Sequence, residues 1–122
     1  MLLCKQDYLG KFAVNKMNAF QVLDDNYNIQ NNSFLYYLRE KSIFNKEAFK
    51  QLYDSIYALA EQNVEISAVA LKIHIVHYRI IEALMYHFDA DDAYKITNLP
   101  ENYNKILAQM EKAVVFYFQT RI

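Results

Sequence analysis

His74 and His77 are the side chains in this sequence best placed to do chemistry as a pair. Imidazole titrates near neutral pH and ligates metals, and a spacing of three on a helix brings both rings within reach of one ligand. A metal centre needs more than two such ligands, and no Glu-x-x-His of the di-iron bundles accompanies them. On a helical wheel both fall near the centre of an apolar face, beside Ala70, Ile81, Leu84 and Phe88. The expectation is a pair of largely buried, neutral histidines bonded to a tyrosine hydroxyl or a carboxylate, with eleven tyrosines available. A ligand- or metal-binding bundle centred on His74 and His77 is the alternative.

Two acidic stretches have spacings that suggest calcium. Asp24, Asn26 and Asn28 occupy the first, third and fifth positions of an EF-hand-like loop. The sixth position is Ile29, where the turn needs glycine, and the twelfth is Leu35, where a bidentate glutamate belongs. Asp89, Asp91 and Asp92 fail in the same way, with Pro100 at the twelfth position. No metal and no cofactor is expected. These stretches read as a solvated loop and an acidic helix start, and as surfaces that a basic partner could meet.

Arg79 and His87 loosely resemble the Arg-x4–6-His element of the all-helical HEPN ribonucleases, which would imply an RNA-cleaving site. Seven residues intervene here, and the two side chains stand about 80° apart on the wheel. No Gly-x-Ser-x-Gly elbow supports a serine nucleophile, and one glycine cannot build a phosphate-cradling loop. No catalytic residue is assigned.

The elements that must position these groups are helices. One glycine, Gly10, and one proline, Pro100, leave few sharp turns for hairpins, while Asn- and Asp-rich connections suit helices. A first periodic segment, Asp7 to Leu23, aligns Leu9, Phe12, Ala13, Phe20 and Leu23, with Met17 at the edge. Lys16 lies within this stripe, its stem packed and its ammonium reaching water, or else paired with a buried carboxylate. Asp24 to Asn32 reads as a loop. Ser33 caps a short helix over Phe34 to about Lys41, and Asn45 caps the next, about Lys46 to Gln62. Its stripe is Phe49, Leu52, Tyr53, Ile56, Leu59 and Ala60.

Ser67 opens a helix to about Phe88, polar only along Glu65, Lys72, Arg79 and Glu82. Such a helix is expected at the centre of the fold, contacted on several sides. Asp89 then caps a short acidic helix that includes Tyr94. Asn98 and Glu101 have capping-box spacing around Pro100, opening a final helix lined by Tyr103, Ile106, Leu107, Met110, Ala113, Val114 and Tyr117. The fold expected over residues 1–122 is an all-α, single-domain, up-and-down-like helical bundle. It has four main helices plus one or two short ones.

The chain is long enough to remove roughly two thirds of its unfolded surface from water without staples. Thirteen basic residues against fourteen acidic argue against a binder that neutralises nucleic-acid phosphates. A single cysteine, Cys4, allows no internal disulfide, and the first residues have neither the basic region nor the apolar run of a signal peptide. The stretch from Val64 to Phe88 is too polar to span a membrane. A cytoplasmic protein is expected, with residue usage that suggests a bacterial or phage source.

The function expected is a small protein-binding module without catalytic activity, a toxin-neutralising immunity-type protein or other inhibitor being its specific form. Asp89, Asp91, Asp92 and Tyr94 are the candidate partner-binding residues, combining charge for encounter with a ring for buried area. Val115, Phe116 and Ile122, on the outer side of the final helix, are the candidates for self-association into a homodimer.

Overall fold

Asn45 starts a helix that lies between the first and last of the described helices. A computed structural model of the chain describes residues 16–62 and 67–121. In it the Asn45 side-chain oxygen accepts from the Ala48 amide at 3.0 Å, and Glu47 stands in the first turn where the helix dipole favours it. Five helices occur among the described residues. They are α1 (Lys16–Tyr27), short α2 (Phe34–Tyr36) running into a π-helical turn (Tyr37–Lys41), α3 (Lys46–Glu61), α4 (Ser67–Phe88) and α5 (Tyr103–Gln119). The described residues form no strand. The all-α bundle read from the sequence is what forms.

The core sits where the periodic stripes put it. Phe49, Leu52, Ile56 and Leu59 of α3 are buried, as are Met110, Ala113, Val114 and Tyr117 of α5 and Leu23 of α1. Phe34 meets Phe44 and Phe49 edge to face at 5.0 and 5.1 Å, and the ring contacts continue through Tyr53 and Tyr57 to Phe116. Ser33 caps α2 as expected, accepting from the Tyr36 amide. The stripe residues before Lys16, and the side chains of Lys16 and Met17, lie outside the described residues, as does Cys4.

Several expectations need correction. Consecutive helices α3 and α4 are not close neighbours: α3 packs between α1 and α5, and α4 lies across from it against those same two helices. The arrangement is therefore not the up-and-down one, in which helices adjacent in sequence are adjacent in space. Asp24 to Tyr27 belong to α1 and not to a loop. Their polar groups have tertiary partners: Asn26 is buried, donating to the Val22 carbonyl at 2.9 Å and accepting from the Leu35 amide at 3.0 Å.

The acidic segment after α4 forms turns, not a helix. Asp89 accepts from the Asp91 amide and Asp92 from the Tyr94 amide, so each carboxylate closes a local turn that competes with helix formation. Asn98 does not cap α5. Its amide grips the backbone of Phe44 instead, and α5 begins at Tyr103. Finally, α4 is not central. It buries Val69, Ile73, Val76, Ile80, Ala83 and Leu84 and leaves much of its remaining apolar surface open.

Candidate functional site

The polar strip of α4 is the part that docks. Lys72 pairs with Asp24 at 2.6 Å, and Arg79 donates to the Tyr27 carbonyl at 2.8 Å. Both cations also lie over the Tyr27 ring, 5.4 and 5.5 Å from its centroid. The reason is local: the C-terminus of α1 is its negative dipole end, so Arg79 meets the Tyr27 carbonyl there and Lys72 the Asp24 carboxylate.

Turning that strip towards α1 leaves a second apolar stripe facing outward. Leu71, His74, Tyr78, Ile81, Met85 and Phe88 are all exposed, the five non-histidine members by between 39% at Ile81 and 62% at Met85. Their spacing alternates three and four residues, the pattern of a seam that receives another helix. This spacing is legible in the sequence. The opposite face carries an equally apolar stripe, so sequence alone cannot say which of the two is buried.

Beside the stripe, a cleft of about 230 Å³ is lined by Arg39, Arg79, Glu82, Ala83, Tyr86 and Tyr94. The Tyr94 hydroxyl donates to the Leu38 carbonyl at 2.5 Å. Burial pushes that hydroxyl above the ordinary tyrosine pKa, and the Arg39 charge pulls it partly back.

His74 and His77 do not share the fate expected of them. His74 is exposed and belongs to the outward stripe, while His77 is half-buried. Neither ring has a hydrogen bond among the described residues, and no group of three or more His, Cys, Asp or Glu there is gathered closely enough to hold a metal. Burial lowers the His77 pKa most, the Glu111 carboxylate raises it in part, and the His74 charge lowers it further. His87 accepts the Ile96 amide on Nδ1 at 2.8 Å, tying the segment after α4 back onto the helix. With Arg79 engaged by Tyr27, the Arg79 and His87 side chains of the HEPN-like spacing are each occupied in holding the fold.

Of the residues selected for partner binding, Asp89 and Asp91 are exposed, and Asp92 and Tyr94 are half-buried. Lys95 donates to the carbonyls of Asp89 and Asp92, so this acidic turn carries its own counter-charge. On α5, Val115 is exposed and Phe116 packs against Tyr57 at 5.5 Å, leaving Phe118 as the other open apolar side chain. Ile122 lies outside the described residues. No helix among the described residues is long and apolar enough to cross a membrane.

The exposed surface of α4 is therefore apolar and aromatic, arranged along one stripe of that helix. No known family pattern, curated protein sequence or solved structure matches the chain.

Proposed function

We propose that this chain is a protein-binding module that works without catalysis, and that the outward stripe of α4 is its contact face. One observation carries the reading: six exposed side chains from Leu71 to Phe88 at alternating spacings of three and four. A surface helix normally turns such a stripe inward, because leaving it in water forfeits about 25 cal/mol for each Å² of apolar area. The occupant with matching periodicity is an amphipathic helix whose own apolar residues repeat every three or four positions. Tyr78, Met85 and Phe88 supply aromatic and thioether contacts of the kind that anchor interfaces. A toxin-neutralising inhibitor of the immunity type is the specific form of this proposal. It rests on analogy of size and charge, and the turn at Asp89 and Asp91 would then meet a basic partner.

The test is a photo-crosslinking residue placed at Tyr78 or Met85, with Lys112 on the exposed side of α5 as control, in the source cell. Protein adducts are expected from the α4 positions and not from the control. The crosslinked protein, purified, should then bind the unmodified chain and bind the Met85→Glu variant at least about tenfold more weakly. Adducts from Lys112 alone, or from none of the positions, would overturn the reading.

A further inference from the structure

We infer that the helix received by this face is α4 of a second copy, running antiparallel to the first. The inference rests on the reading of α4 as the contact face and names its occupant.

The stripe is self-complementary in that direction. When two copies are laid side by side with ends matched, Leu71 faces Phe88 of the partner copy, His74 faces its Met85, and Tyr78 faces its Ile81. Every layer then sets one ring against one aliphatic or thioether side chain, a packing that alternates bulk across the seam. A parallel pairing would instead put His74 on His74 and Tyr78 on Tyr78, stacking like on like. The antiparallel arrangement closes on a two-fold axis, so the same patch serves both molecules.

The area is sufficient. Large side chains of these types present on the order of 200 Å² when free, so a stripe about half exposed offers roughly 500 Å² per copy. Two copies would bury roughly 1,000 Å², about the least that a specific interface uses, and 500 Å² left bare is near the limit for a monomer.

The test measures the mass of the full chain in solution by light scattering up to ~100 µM, where an interface of this size is populated if its Kd is micromolar. Twice the chain mass is expected. Met85→Glu and Tyr78→Glu should each return it to one chain mass with an unchanged helical circular dichroism spectrum, and Val115→Glu should leave the dimer intact. Direction is read in a Cys4→Ser background by mixing Leu71→Cys with Phe88→Cys chains. A disulfide should form between the two kinds of chain and not within either kind. A monomer at every concentration, a dimer broken by Val115→Glu and not by Met85→Glu, or a Leu71→Cys homodimer crosslink would overturn the inference. A monomer that still gives adducts to a different protein at Met85 removes the second copy and leaves α4 as a docking face; a monomer with no adducts removes both.

Discussion

The side-chain amide of Asn98 holds both backbone polar groups of Phe44, accepting from its amide at 2.7 Å and donating to its carbonyl at 3.1 Å across 54 positions of sequence. This two-point grip fastens the segment between α4 and α5 to the segment before α3. The backbone is supported nearby by Thr97, whose amide and hydroxyl both donate to the Ser42 carbonyl. Asn98→Ala removes both bonds and leaves two part-buried groups unpaired, at a cost of about 1–3 kcal/mol. Urea unfolding should show that loss. Native helical content should stay unchanged, since Asn98 caps no helix; a drop in helicity would restore the capping role.

Asn26 makes a parallel prediction at the other end of the molecule. It is buried and joins the last turn of α1 to the Leu35 amide of α2. Asn26→Ala should destabilise by about 1–3 kcal/mol, because the Leu35 N–H loses its partner away from water. Asn26→Asp keeps the acceptor but loses the donor to Val22 and buries a charge, so it should be at least as damaging. A thermal midpoint unchanged in both variants would mean that the bridge contributes nothing.

His77 predicts a direction with pH. Its folded pKa lies below the unfolded value of about 6.5, chiefly through burial, so the unfolded chain binds the proton more readily than the native one. The stabilisation is fully present above about pH 6.5 and is lost as pH falls through the lowered folded value. Urea midpoints at pH 7.5 and 5 should differ more for the natural chain than for His77→Gln. Equal slopes for the natural chain and His77→Gln would dismiss the histidine as the cause.

The acidic turn separates into a surface residue and a structural one. Asp91 is exposed with its side chain pointing to no described partner, whereas Asp92 accepts from the Tyr94 amide at 2.8 Å. Asp91→Lys should leave the unfolding midpoint within about 0.5 kcal/mol of the natural chain. Asp92→Lys should lose roughly 1 kcal/mol with that bond. If the turn recruits a basic partner, Asp91→Lys alone should weaken binding, more at low salt than at high. Normal binding at low ionic strength would remove this surface from consideration.

Phe116 and Val115 divide in the same way on α5. The Phe116 ring packs on Tyr57, so Phe116→Glu should lower stability by about 2 kcal/mol or more, while exposed Val115→Glu should be nearly neutral. Thermal unfolding of the two variants reads the difference directly. Any change of oligomeric state in Phe116→Glu has to be interpreted beside that loss of fold, and Val115→Glu is the cleaner probe of the surface.

Residue type and spacing in the sequence determined that α3, α4 and α5 are helical, where Ser33 and Asn45 start α2 and α3, and which stripes of α3 and α5 go inside. Those are local matters: side-chain periodicity, capping oxygens and the absence of turn residues act over a few positions, and α3 and α5 each have one apolar face to bury. Tertiary structure decided the rest. α4 carries two apolar stripes, and the choice between them was made by Lys72 and Arg79 seeking Asp24 and the open carbonyl of Tyr27, some fifty residues away. The same kind of distant partner took Asn98 away from α5 and kept Asp24 to Tyr27 helical. Polar side chains can satisfy near or far groups at similar energy, so their partners depend on what the fold brings within reach, and with them the face of α4 that is left exposed.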